Sequence, residues 1–507
     1  MASTNPATVE YEKSDLVRVK PLYRFIRACL CGPQAVKDGG ELWLPHPDFE
    51  TRGTKYGDER YASYKKRARF YNITGNTIKG MLGQVFSRDP VIKLPDTYNI
   101  LLEDVTGTGV GLVQQAKEVT TDVIGFGRHA LLTDYSSVEG SASAADVASG
   151  DVRPFIMNFK PEDVLNWRES LVGDKRRLTL LVLRDEVDRG GDDTFDEYKE
   201  KGYRELRLIG GVFMARRWTT IDDTVVAGEW ITPTKANGDN FSEIPAVLVG
   251  SDNNDPGIDD SPMADIAELN QGHYINSADY EESVFMLGQP TPVASGLDIT
   301  WAKEIMAGKP IYLGSRELVK LPKGAQLDLL QIEGNLEAKV AMEHKESQMV
   351  ALGARIVQNR DVQRTAKEYS GDRATQTSIL ATISRNVSEA YLQCLRWACD
   401  YSGDNFEDIE FELNTDFDLA KMSPEEVTAV MAAWQGKAIS FTEMRFALKK
   451  GGIAFQEDED ARAENDSDSA LQDLNLDDPE DDPEDDPNAD PNADPAGNQG
   501  SGSGEDE

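Results

Sequence analysis

The sequence predicts an α+β protein with helical segments on either side of a β-rich block, followed by an acidic tail without a core. Three observations predict it. Apolar residues recur at three-to-four spacing near both ends of the folded part, short β-branched runs divided by turn residues fill the middle, and acidic residues alternate with prolines after Phe455.

The elements follow in order. Residues 1–13 are polar and read as frayed. A helix then runs from Ser14, its N-cap, to about Cys31, where Gly32-Pro33 stops it. Gly39–Gly57 is a loop anchored by Trp43 and Leu44. Residues 58–86 form one or two helices, because Tyr61, Tyr64, Ala68 and Tyr71 share helical spacing. Asp89-Pro90 and Leu94-Pro95 punctuate the chain. Gly107–Gly111 is a loop, Leu112 to about Ile124 a helix, Ala130–Tyr135 a strand, and 136–151 a surface excursion rich in Ser, Ala and Gly.

The β block comprises Phe155–Phe159, Leu178–Val187, Tyr203–Ile209, Val212–Trp218, Val225–Ile231 and Ile244–Val249, with Gly210-Gly211 as a two-residue hairpin. Ser261 then caps a helix with Pro262 in first position, running to Leu287 before Gly288. Pro290–Ala294 and Pro310–Leu313 are extended. Two long helices follow, at about Leu336–Ile356 and Ala374–Tyr401, the second with the stripe Ile379, Ile383, Val387, Ala390, Cys394 and Ala398. The strand Ile409–Leu413 precedes two short helices that start near Ser423-Pro424 and Ser440.

Charge is unevenly spread. The 507 residues carry a net −37, of which −20 falls in 456–507 (21 acidic residues against Arg462) and −17 in 1–455. The tail's composition cannot offset the entropy of folding. Even the remainder is acidic, which argues against tight nonspecific DNA binding but not against a surface that DNA slides past. The apolar run Leu178–Leu183 ends at Arg184 and Asp185, so no segment reaches the length needed to cross a bilayer. The start lacks a secretory pattern, so the cytosol is the expected place of synthesis. Cys29, Cys31, Cys394 and Cys399 read as buried thiols in a reducing compartment.

No motif for chemistry stands out. The chain lacks GxxxxGK[ST], GxSxG and HExxH. Gly107, Gly109 and Gly111 make GxGxG, which reads as a turn. Asp252–Gly257 starts like a calcium loop, but Pro256 and Met263 stand where ligands belong, so a capped turn is the better reading. His46, His129, His273 and His344 are scattered and read as structural or solvated. The basic aromatic run Tyr64–Tyr71 reads as the solvated face of a helix. No catalytic residue, metal ligand or cofactor is expected.

Several phrases, in order, resemble tailed-bacteriophage portal proteins, in particular a family of uncharacterised portal-like proteins. They are YKKRARFYNITGNTIKGMLGQVFSRDP (64–90), Gly127-Arg128 with Thr133-Asp134-Tyr135, and PFIMNFKPEDVLNW (154–167). IPAVLVG, SPMADIAELN, SADYE and GQPTPV follow between Ile244 and Gly296. MVALGARIV, TSILATISRNVSEAYLQCLRWA and NTDFDLAKMSPEEVTAVMAAWQGKAIS complete the series. The resemblance spans about 15–453.

It implies a portal fold with an α/β wing, helical stem, β-rich clip and α-helical crown. The expected division is 14–167 and 289–415 for the wing, 168–257 for the β-rich region with the clip, 258–288 for a stem helix, 416–455 for the crown and 456–507 for the tail. It further implies a homo-oligomeric ring, usually of twelve, at a capsid vertex, through which double-stranded DNA passes during packaging and ejection. Expected partners are the packaging terminase, the major capsid protein or scaffold, and head–tail adaptor or connector proteins, with no membrane. Rival readings are another virion head–neck protein and a cytosolic hydrolase. A tunnel loop is implied near 356–373. The stretch 355–373 holds Arg355, Arg360, Arg364, Lys367 and Arg373 against Asp361, Glu368 and Asp372. By their residues alone these are equally a solvated inter-helix loop; the resemblance makes them DNA-facing.

Overall fold

The computed structural model describes residues 8–135, 153–188, 199–221, 224–288, 291–296, 298–304, 323–330, 336–357, 378–404, 406, 409–417, 424–436 and 438–450. The chain is α+β and divides into two compact units, Met1–Phe417 and Asp418–Glu507.

The larger unit opens with helices α1 (Ser14–Cys31), α2 (Pro33–Asp38), α3 (Lys55–Arg67) and α4 (Ile73–Val85). Lys13, not Ser14, occupies the capping position of α1. Of the residues read as frayed, Glu10, Glu12 and Lys13 are fastened down, and 1–7 lie outside the described residues. The Lys13 amide donates to the Leu165 carbonyl at 2.9 Å, Glu12 pairs with Lys20 and Arg184, and the Tyr203 hydroxyl donates to Glu10 at 3.1 Å. A polar segment with cationic partners elsewhere in the fold is held by charge, which composition does not show.

Strand β1 (Val91–Lys93), the short helix α5 (Ile100–Glu103) and helix α6 (Leu112–Phe126) follow. In the GxGxG loop before α6, the Asp104 carboxylate accepts from the amides of Gly107 and Gly109 at 2.7 and 3.0 Å, which makes it a closed turn. Gly127 ends α6 with φ 72°, and a β-carbon there would meet the carbonyls of Asp259 and Asp260, so only glycine fits.

Strand β2 (Arg128–Tyr135) lies between β3 (Pro154–Phe159) and β9 (Ala246–Gly250), both antiparallel to it. Between β3 and β9 the chain forms a five-stranded antiparallel meander in sequence order: β4 (Val164–Val172), β5 (Lys175–Asp188), β6 (Lys199–Ile209), β7 (Val212–Ile221) and β8 (Thr224–Ala227). Gly210 and Gly211, at φ 60° and 83°, make the β6–β7 turn. Beyond Trp167, strand β4 is absent from the sequence reading because Arg168, Glu169 and Ser170 give it an exposed second half without alternation. The strand expected to reach Ile231 ends at Ala227; the Gly228 amide still bonds the Arg217 carbonyl, and Ile231 returns for one bridge to Ala215.

Helix α7 (Ala264–Gly288) begins after a turn in which the Ser261 hydroxyl accepts from the Met263 amide, so Pro262 precedes the helix. Its first half buries Ile266, Ala267, Asn270, Tyr274 and Ala278, whereas Val284, Phe285 and Met286 near its end are exposed. The run Tyr64–Tyr71, read as a solvated face, packs on α7. Tyr64 donates to Asp279 at 2.7 Å, Arg67 pairs with Glu282 and covers the Phe285 ring at 4.2 Å, and the Arg69 amide donates to Ser277. Basic residues on one helix met acidic ones on another, a match invisible in either segment alone.

Strands β10 (Thr291–Ser295) and β11 (Gln326–Leu330) pair, with α8 (Ile299–Glu304) between them. Pro310–Leu313 lies outside the described residues, as does the 136–151 excursion. Helix α9 (Leu336–Val357) runs antiparallel along α7, as the His273–Glu346 contact and the Leu269–Arg355 neighbourhood require. Helix α10 (Ile379–Ser402) is the core of the unit. Ser378 caps it by accepting from the Ala381 amide, Gly403 closes it at φ 82°, and Ile383, Val387, Ala390, Cys394 and Ala398 are all buried against α6, β2 and β9. Strand β12 (Glu410–Glu412) pairs antiparallel with β1. Cys31 is exposed, unlike the other three thiols, because it sits in the last residue of α1.

The smaller unit contains α11 (Pro424–Gln435) and α12 (Phe441–Lys450). Ser440 and Glu443 form a reciprocal capping box at the start of α12, and Trp434 meets Phe441 edge-on at 6.1 Å.

Candidate functional site

The sequence nominates the α9–α10 connection. Arg355 sits in the last turn of α9, where a cation is favoured by the carbonyl end of the helix, and is exposed. With Leu269 of α7 and Gln348, Ala351 and Leu352 it borders a shallow hollow of about 280 Å³. Arg360, Arg364, Lys367 and Arg373 lie outside the described residues, so Arg355 alone of the five has a place. It stands where α9 hands the chain to that stretch.

Elsewhere in the larger unit, the framework is fixed by buried charge that sequence reasoning missed. The Arg27 guanidinium of α1 bridges two carboxylates: Asp122 of α6 at 2.7 and 3.3 Å, and Glu162 at 2.9 Å through two nitrogens. It also covers the Phe126 ring at 4.1 Å. Asp122 further accepts from His129 Nδ1 at 3.1 Å. Burial works to raise the Asp122 carboxyl, but His129 and Arg27 outweigh it and hold the group below the usual carboxylate range. The pair has the shape of a carboxylate orienting a general base. However, the His129 ring is 1% exposed, and its Nε2 is closed from solvent with no partner among the described residues, so the pair ties α6 to β2. The signal for this network was Arg27 within the apolar run Phe25 to Cys29, and Asp122 within Val119 to Ile124.

Arg128, next in β2, is 2% exposed and stacks on Trp167 at 3.8 Å. It donates from Nη2 to the Pro256 carbonyl at 3.2 Å. Burial lowers its pKa to about 10, opposed by Tyr23, Asp259 and Asp255. The calcium-like loop is thus a capped turn closed around an internal guanidinium. Asn253 accepts from Asp255, Asp255 from Gly257, and Asp259 from Asp252 and Asn253.

In the meander, Glu205 is buried and accepts from Arg216 at 2.7 Å, Trp218 at 2.8 Å and Arg207 at 2.5 Å; these donors outweigh burial and depress its carboxyl. Arg204 spans Asp185 at 2.7 Å and Asp134 at 3.1 Å. Among the described residues no group of three or more His, Cys, Asp or Glu is placed to hold a metal ion, and no helix is long and apolar enough to cross a membrane. The arrangement is one of rigid charge-tied layers joined to a basic connection.

Residues 262–402, from the turn before α7 to the end of α10, match a family described as a domain of unknown function, DUF4055. Among solved structures, the chain is similar to one in the neck of an empty GTA particle computed with C6 symmetry, with 13% identity, 75% of this chain and 90% of that chain covered, and a TM-score of 0.36. No curated protein matches it.

Proposed function

We propose that this chain is a portal protein: a ring-forming virion subunit at a capsid vertex through which duplex DNA is packaged and ejected. The observation that carries the reading is where the portal-like phrases fall. In chain order they occupy α3–α4, β2, β3–β4, β9–α7, β10, α9 and α10, which together make the framework of the larger unit, and NTDFDLAKMSPEEV leads into α11. The wing would be the α/β body, the stem α7, the clip part of the meander and the crown α11–α12. The connection after Arg355 would be the tunnel loop. An acidic body suits a conduit, since strong phosphate binding would stall translocation. ATP hydrolysis would belong to the packaging terminase; capsid or scaffold and connector proteins would hold the ring's two ends.

Head-to-tail ring contacts are heterologous and close only when each copy offers two complementary surfaces. Light scattering of the purified protein is therefore expected to show a single large assembly. A stable 56.0 kDa species at every salt and protein concentration tested contradicts the reading. The acidic tail is expected to be dispensable for this: a chain ending at Phe455 should fold and assemble as the full chain does. Loss of assembly on truncation would show that the tail contributes to the fold.

A further inference from the structure

Three arginines, Arg204, Arg216 and Arg217, line a cavity that the portal reading does not use. It has a volume of about 490 Å³ and lies between β2, β6, β7 and the segment 231–234. Leu206, Phe213 and Ile231 line it, together with the carboxylate-bearing Asp134. On the same face of the sheet as Leu206 and Phe213 stand Arg204 and Arg217, directly opposite each other in the β6–β7 register. Like charges in that position repel and destabilise a sheet.

The two arginines differ in what answers them. Arg204 is spent on Asp185 and Asp134. Arg217 is exposed, and among the described residues its guanidinium has no ion-pair or hydrogen-bond partner; Arg204, followed by burial, pushes its pKa below the ordinary value against the opposing pull of Asp185 and Asp134. The hydroxyls of Thr232 and Thr234 line the same cavity and likewise have no hydrogen-bond partner among the described residues. An exposed guanidinium fork and two exposed hydroxyls, beside apolar side chains, form a set of donors open to an oxyanion.

We infer that this cavity binds a small organic oxyanion, its carboxylate or phosphate held by Arg217, Thr232 and Thr234 and its carbon body resting on Leu206, Phe213 and Ile231. The anion gives Arg217 the direct partner that Asp185 and Asp134, bonded to Arg204, do not supply. The group comes either as a free molecule or as an acidic side chain of a second copy. Binding itself does not depend on the portal reading; the second-copy source rests on the assembly which that reading proposes.

The test is calorimetric titration of the full chain with glutarate and with inorganic phosphate at constant ionic strength, beside Arg217→Gln and Thr232→Ala/Thr234→Ala. Saturable binding of either probe is expected, weakened about tenfold or more in Arg217→Gln, as loss of a charge-assisted hydrogen bond implies. The Gln variant keeps the β7 backbone and relieves repulsion, so its melting temperature without ligand should not fall; the threonine variant checks the site if it does. Light scattering separates the sources. Glutarate dissociating the assembly, as Arg217→Gln does, marks a second copy's carboxylate; unchanged assembly with binding marks a free anion. Absence of saturable binding together with unchanged assembly in Arg217→Gln overturns the inference, as does equal binding by wild type and variant.

Discussion

Replacing Asp122 by Ala is expected to cost the larger unit about 3–5 kcal/mol, because it removes one partner of a buried ion pair and strands the others. Arg27 keeps only Glu162, and the buried His129 ring loses the one hydrogen bond it makes. The urea midpoint measures the loss. Glu162→Ala should cost less, because its side chain is more exposed, 20% against 7%, and Arg27 retains Asp122. The pH dependence has a definite sign. The folded carboxyl of Asp122 is depressed, so its contribution is fully present above its unfolded value near pH 4 and disappears as pH falls through the folded value. Asp122→Asn should therefore flatten the acid limb of the stability curve. A change of about 0.5 kcal/mol or less, the scale of a surface substitution, would mean the network does not hold α1, α6 and β2 together.

The second large effect concerns function. Under the portal proposal, Arg360→Gln, Arg364→Gln and Lys367→Gln together should leave rings intact yet lower the yield of DNA-filled particles by about tenfold. Weak phosphate contacts repeated around a ring act jointly, although each is easily broken at physiological salt. Sedimentation of particles from cells producing the variant separates filled from empty heads. Filled heads at wild-type yield would return the stretch to the bland alternative, a solvated connection. Arg355 is left in place because it belongs to the end of α9 and its removal would confound loop and helix.

Most elements were legible because each is encoded locally. The stripe from Ile379 to Ala398, with Ser378 before it and Gly403 after, specifies α10 without reference to anything else. Gly210-Gly211 specifies its hairpin for the same reason. What stayed hidden depends on partners far along the chain. Lys13, Glu12 and Glu10 are held by Leu165, Arg184 and Tyr203, and the Tyr64–Tyr71 run is covered by α7, some two hundred residues later. The candidate site was only partly legible. The basic excess near 355–373 is visible in composition, whereas the cavity at Arg217 depends on register: only pairing 204 with 217 sets two arginines face to face.

The central claim is that copies of this chain close into a ring around DNA, and direct imaging tests it most plainly. Electron microscopy of the purified full-length protein, negatively stained, should show end-on rings with an axial opening wide enough for a DNA duplex and side views with a narrower end. Fields of single small particles, or closed assemblies with no opening, would contradict it.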